Sequence, residues 1–274
     1  MFGVLTVEWK KPGGLWESLR LRFCPRSAIR CETDSVRMAL FLKVSLTLPE
    51  KAGPRLVRRR LRRCMSLMRQ RGVHRAVVPE QAREAAADAC IAPVDRKAAV
   101  QGCAAEAVLL ALRAAGLEPE QSGVTLIADR TGRDVQTAAL MLARRVRCVR
   151  VRSRAPAPAL RRRLYEDYGI AENPPLEDTC TAALVFDKTD EPLDAYGIVC
   201  NLTDGPLGAD CIAECRYGLT CAPSVLAQKP PQADESDFVA ALYLCGGLTL
   251  SDLILRIDPE CALDIEENPS YNKD

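Results

Sequence analysis

Four short apolar runs, at 124–128 (VTLIA), 148–151 (CVRV), 182–186 (AALVF) and 197–202 (GIVCNL), constrain this chain more than any other feature. Each is too short for a helix, and none shows the strict alternation of a sheet with one wet face. Runs of that kind belong to strands covered on both sides, which is the environment of a parallel sheet. Helical stretches lie between the first three: about Asp134 to Val146, and Pro158 to Tyr168 with Gly169 as its stop. Strand and helix therefore alternate, and parallel neighbours need crossover helices.

Upstream, apolar residues at Val57, Leu61, Cys64, Met65 and Met68 recur at helical spacing, with Gly72 at the C-cap position. That helix leads into the β-branched run Val73 to Val78, closed by Pro79. Ala-rich helices follow at Glu80 to Cys90 and Asp95 to Ala115, the second ended by Gly116 with Pro119 beyond. At the N-terminus, GVLTVEW reads as a strand, Pro12-Gly13-Gly14 as a turn and Leu19 to Phe23 as the second arm of a hairpin. Residues 24–35 read as irregular, and Leu40 to Leu48 as a further strand ended by Pro49.

The fold class expected is α/β: a Rossmann-like doubly wound parallel sheet with a β-containing N-terminal extension and a C-terminal helical segment. The expected boundaries are 1–54 for the extension, 55–204 for the core, 205–236 for an irregular connection, and 237–274 for a C-terminal helix and acidic tail. Within the last, Phe238 to Leu255 reads as one helix interrupted near Gly246-Gly247 or as two short ones.

Composition narrows the environment. At 274 residues the chain can bury a core without disulfide staples. Its 13 cysteines are odd in number, irregularly spaced and mostly set in apolar runs, as free thiols in a reducing compartment would be. No signal-peptide pattern opens the chain, because Glu8, Lys10 and Lys11 interrupt it, and no run is apolar enough to span a bilayer. The expectation is a soluble cytoplasmic protein with no membrane partner. Net charge is only +2, but residues 1–163 carry 33 basic and 14 acidic side chains, against 5 and 22 in the remainder. The two parts either attract each other or face different partners.

In open parallel sheets, ligands bind beyond the carboxyl ends of the strands. The first βα junction there reads Asp129-Arg130-Thr131-Gly132-Arg133, where free N–H groups at a helix start, helped by two arginines, can hold a phosphate. The competing reading is a tight turn at Thr131-Gly132 with Asp134 as the helix cap. Only one of the three glycines of a dinucleotide fingerprint is present, and there is no phosphate loop of the GxxxxGK[ST] type. Asp129, Asp187 and Asp204 each follow a strand and would reach one sheet edge. They read either as ordinary turn residues or as oxygen ligands for Mg²⁺.

The remaining motifs are weaker. Cys211, Cys215 and Cys221, with Cys200 nearby, miss the close spacing of a zinc knuckle, so no metal site is assigned. The one histidine, His74, falls in an expected strand and reads as structural; no catalytic residue and no cofactor can be named. The helix 55–71 carries eight arginines, at 55, 58, 59, 60, 62, 63, 69 and 71. They suit phosphate backbones, or else pair with the acidic C-terminal part of the same chain. Two function classes follow: a module binding a nucleotide or other phosphorylated small molecule at Asp129, Arg130, Thr131, Gly132, Arg133, Asp187 and Asp204; and, as the alternative, an interaction protein binding nucleic acid or an acidic partner through the arginine helix.

Overall fold

The computed structural model describes residues 1–24, 28–170, 180–203, 205, 207 and 213–258. The chain divides into two compact units, residues 1–96 with 219–254, and residues 97–218 with 255–274.

The first unit is built on a five-stranded sheet in the order β2-β3-β1-β4-β5. Its strands are β1 (Phe2–Lys10), β2 (Ile29–Val36), β3 (Ala39–Pro49), β4 (Arg75–Val77) and β5 (Ala92–Pro93). β3, β1, β4 and β5 run parallel, and β2 is an antiparallel edge. Residues 24–35, expected to be irregular, supply most of that edge strand; edge strands expose much of their length and need little apolar sequence. The stretch Leu19 to Phe23, expected to be a hairpin arm, is instead the last part of helix α1 (Leu15–Phe23). Full-length parallel pairing of β1 with β3 occupies the side of β1 that a hairpin partner would have used.

Helix α2 (Pro54–Gln70) matches the arginine-rich segment, with Pro54 in its first turn. Gly72, at φ 77°, lets the chain reverse so that the Val73 amide donates to the Met68 carbonyl. The apolar stripe of α2, Leu61, Cys64, Met65 and Met68, packs against Leu42, Val44, Leu46 and Leu48 of β3 in one core. Met68 and Val73 press so closely on β1 that a Cβ at Gly3 would stand 2.9 Å from Val73 Cγ1. Helix α3 (Arg83–Asp88) precedes β5. Phe2 and Phe41 stack, and Phe238 meets both edge-on.

The second unit has a five-stranded sheet in the order β10-β9-β8-β6-β7, parallel throughout. Its strands are β6 (Gly123–Ala128), β7 (Cys148–Ser153), β8 (Cys180–Val185), β9 (Ile198–Asn201) and β10 (Glu214–Cys215). All four expected strands are thus neighbours running in one direction. Every residue of β6 and β9 is buried, as a sheet covered on both faces requires. Numbered within the unit, the order is 2-1-3-4-5, one of the two common doubly wound arrangements. The protein has a Rossmann-like α/β fold.

Helices α4 (Lys97–Gly102) and α5 (Ala104–Ala114) replace the single helix expected over 95–115, with Cys103 leaving helical geometry between them. α6 (Arg133–Leu142) and α7 (Pro158–Tyr168) lie where expected, and α7 ends on left-handed Gly169. Beyond them come β11 (Tyr217–Thr220), the one-turn helix α8 (Pro223–Leu226), α9 (Glu235–Leu244) and β12 (Ile254–Ile257). Beyond Gly246-Gly247 the expected C-terminal helical segment continues as a short 3-10 helix at Leu250–Asp252, and its last part is β12, which pairs with β11. The units also cut across the expected boundaries: α2 and β4, assigned to the core at 55–204, belong to the first unit because β4 pairs with β1.

Candidate functional site

Strand order reverses around β6. The chain leaves β6 for the edge strand β7, then returns past β6 to form β8 on its other side. Loops that follow β6 and β8 must therefore part, and the crevice between them is where doubly wound sheets take ligands.

Asp129 ends β6 and anchors this edge. Its N–H donates to Asp187 Oδ2 at 3.1 Å, its carbonyl accepts the Ala155 N–H at 3.1 Å, and its carboxylate lies 3.4 Å from Arg154 Nε. Asp187, just past β8, also pairs through Oδ1 with Lys97 Nζ at 3.1 Å. Gln101 of α4 donates to the Phe186 carbonyl at 2.6 Å, so α4 clamps the chain on the other side of Asp187. Arg154 extends to Asp190 at 3.4 Å and Arg152 to Glu191 at 3.1 Å. Asp129, Asp187, Asp190 and Glu191 thus each face a cation, and Asp129 and Asp187 leave little uncompensated negative charge.

Past Asp129, the exposed Arg130 accepts at its carbonyl from the Gly132 N–H, which tightens the turn. The Thr131 carbonyl accepts from Gln136 Nε2. Gly132 is the N-cap of α6, and no side chain caps that end; Asp134, weighed as the cap, sits inside the first turn instead. The leading N–H groups of α6 therefore open toward the crevice beside the exposed Arg130 and Arg133.

Of the residues singled out in the sequence, Asp129, Arg130, Thr131, Gly132, Arg133 and Asp187 come together, and Asp204 lies outside the described residues. Among the described residues no three acidic, histidine or cysteine side chains meet as a cation cage. Sequence reasoning missed Lys97, Gln101, Arg152 and Arg154. Arg152 and Arg154 had a signal, because they close β7 beside β6; Lys97 and Gln101 had none, since their role follows from where α4 sits.

Two of the four singled-out cysteines pair across one sheet. Cys200 and Cys215 stand opposite each other in β9 and β10, fully buried, and burial first, then the neighbouring Cys215, pushes the Cys200 thiol up. Cys221 belongs to the other unit, and Cys211 lies outside the described residues. His74 is not within a strand: it precedes β4, exposed, with Nδ1 against the Arg69 guanidinium.

The arginine face of α2 differs from its expected composition at one position. Arg60 is 2% exposed and donates through Nη2 to the Leu21 carbonyl at 3.2 Å, so it fastens α1 rather than joining the wet face. Burial, then the charges of Arg59 and Arg63, pulls its guanidinium below the ordinary arginine range. Arg58 and Arg62 pair with Glu84 and Asp88 of the adjoining α3, not with the acidic C-terminal part. Arg59, Arg60, Arg62 and Arg63, with Phe23 of α1, line a groove of 640 Å³.

No known protein family and no curated protein matches the chain. Among solved structures it is similar to a D-mandelate dehydrogenase from Rhodotorula graminis, with 10% identity over 91% of this chain and 93% of the other and a TM-score of 0.35. It is similar also to a methylenetetrahydrofolate dehydrogenase-cyclohydrolase from Trypanosoma brucei, with 16% identity over 84% and 72% and a TM-score of 0.24. An L-tryptophan dehydrogenase from Nostoc punctiforme gives 10% identity over 73% of this chain and 56% of its own length, with a TM-score of 0.27.

Proposed function

We propose that the second unit binds a nucleotide or another phosphorylated small molecule at the carboxyl edge of its sheet, between the loops that follow β6 and β8, with no catalytic residue identified. The observation that supports this reading is the uncapped amino end of α6 at the point where strand order reverses. Unsatisfied N–H groups and the helix dipole favour an anion there. Arg130 and Arg133 add charge, while Lys97 and Arg154 offset Asp187 and Asp129, which would otherwise repel a phosphate. Thr131 and Gly132 form the turn that the phosphate would approach, and Asp204, outside the described residues, belongs to the same reading only by its place in the sequence after β9.

Thermal unfolding against a nucleotide panel tests it. One member should raise the transition, because a ligand at a hundred times its Kd stabilises by about 2.7 kcal/mol. Arg133→Ala should remove the rise. A flat panel, or a rise that survives both Arg130→Ala and Arg133→Ala, defeats the reading. Nucleic acid on α2 is less well supported, since among the described residues Phe23 is the one aromatic side chain of that groove and strand-binding surfaces stack successive bases.

A further inference from the structure

Helix α1 wears its apolar face outward. Leu15, Trp16, Leu19 and Phe23 fall within an arc of about 100° on a regular helix, and all four are exposed: Trp16 by 84%, Leu15 by 75% and Phe23 by 73%. Leu21, on the other side, is buried and holds the helix to its unit. The helix is also pinned at both ends. Glu17 accepts from the Gly13 N–H and from Lys10 Nζ near its start, and Arg60 grips the Leu21 carbonyl near its end. An exposed apolar row on a tethered helix marks a docking face.

Charge decides what docks there. Phe23 borders the groove that Arg59, Arg62 and Arg63 line, so the apolar row runs directly into a cationic patch. Arg62 is engaged by Asp88, whereas Arg59 and Arg63 have no carboxylate within ion-pair distance among the described residues. A second copy of this face would bring two such patches together, and like charges would oppose it. A nucleic acid would use the arginines, but Leu15 and Leu19 have no π-face to offer a base. An anionic surface with an apolar interior satisfies both halves at once.

We propose that the α1–α2 face docks on anionic phospholipid bilayers, with Arg59 and Arg63 on headgroup phosphates and Leu15, Trp16, Leu19 and Phe23 in the boundary between headgroups and acyl chains. The Trp, Phe and Leu row beside arginines is the pattern of interfacial anchors. The expectation of no membrane partner rested on the lack of a spanning run. Among the described residues no helix is long and apolar enough to cross a membrane, and surface docking requires none.

The chain has two tryptophans, so a Trp9→Phe variant of the full chain leaves Trp16 as a single fluorescent reporter. Trp16 emission should shift to the blue on vesicles of equal parts phosphatidylcholine and phosphatidylglycerol, stay unchanged on pure phosphatidylcholine, and return as salt is added. Arg59→Gln with Arg63→Gln should weaken partitioning by about 25-fold, at about fivefold for each cation near an anionic surface. Trp16→Ser with Phe23→Ser should weaken it at least about tenfold, read by flotation. These side chains are exposed, so an unchanged circular dichroism spectrum and melting temperature should accompany both losses. Absence of a shift on anionic vesicles at low salt overturns the proposal, as does partitioning that ignores both variants. A Trp16 response to single-stranded RNA but not to vesicles would give the face to nucleic acid, and burial of Trp16 by self-association alone would give it to a second copy. Either result also overturns it.

Discussion

Replacing Asp187 with Ala removes two interactions at the point on which the candidate site depends. The Lys97 pair is made by side chains 31% and 33% exposed, so solvent screens it and it contributes about 0.5 kcal/mol. The bond from the Asp129 N–H to the carboxylate is charge-assisted and holds the end of β6; its loss costs about 1.5 kcal/mol. Lys97 is about a third exposed, so solvent screens its charge and the total stays at about 2 kcal/mol. Asp187→Asn keeps an oxygen acceptor of the same shape and should cost less than half of that.

Asp187 and Asp129 both belong to the second unit, so a probe local to that unit reads the change most directly. Amide hydrogen exchange read at β6 and β8 reports the second unit directly. The Asp129 amide itself should lose protection in Asp187→Ala, more than its neighbours do, and retain most of it in Asp187→Asn. A double-mutant cycle with Lys97→Met should return a coupling of about 0.5 kcal/mol. The reasoning fails if Asp187→Ala costs under about 0.5 kcal/mol, or if Asn and Ala cost the same, because either result means that the carboxylate does not hold the loop.

Three further outcomes follow from the packing. Thr249, through its N–H and then its hydroxyl, and Arg37 after it, hold the Asp252 carboxyl at about 2 against an ordinary 3.8. The folded value is the lower one, so the capping contribution is complete above about pH 4 and lost as pH falls toward 2. A carboxyl-carbon NMR titration should show this, with Thr249→Ala moving the midpoint up. Burial pushes the Cys64 thiol up to about 12 and the Cys103 thiol to about 11, while Cys24, Cys90 and Cys245 are exposed. Iodoacetamide at mildly alkaline pH should mark these three before Cys64 and Cys103, and early labelling of Cys64 in mass spectra would contradict its burial. A Cβ at Gly247 would stand 2.7 Å from Ala39 Cβ, so Gly247→Ala should lower stability by about 1–3 kcal/mol in urea unfolding; a neutral effect would mean that the segment yields.

The sequence was most readable where burial is symmetrical. β6, β8 and β9 are covered on both faces, so their apolar runs carried their identity without help from partners. α2 and α7 were equally plain, with a helical period and a terminal glycine each. Reading failed where tertiary pairing chose between local options. LRLRF alternates like a strand, yet parallel pairing of β1 with β3 leaves it no partner, and Leu21 alone among its apolar residues turns inward. Likewise, nothing local says that β4 joins β1 rather than β6. At the candidate site the loop residues were legible because strand ends mark them. The cations that neutralise them arrive from other elements: Lys97 from α4, Arg154 from the end of β7.

The charge asymmetry along the chain shows why linear order misleads here. Basic residues crowd the first 163 positions and acidic ones the rest, which suggests two oppositely charged bodies. The fold does not divide the chain there, because residues 219–254 return to the first unit and bring acids with them. Asp234 and Asp237, at the start of α9, pair with Arg96, and Asp252 pairs with Arg37. Asp187, Asp190 and Glu191 do the same inside the second unit for Lys97, Arg154 and Arg152. Acids from the second half are thus spent locally, one arginine at a time, within each unit. The α2 helix draws on a different source: Arg58 and Arg62 take Glu84 and Asp88 from the adjoining α3, and Arg59 and Arg63 have no carboxylate within ion-pair distance among the described residues. Two unpaired arginines thus stand beside the apolar row of α1, and an anionic partner drawn to that groove meets Phe23 there and Trp16 on the same helix face.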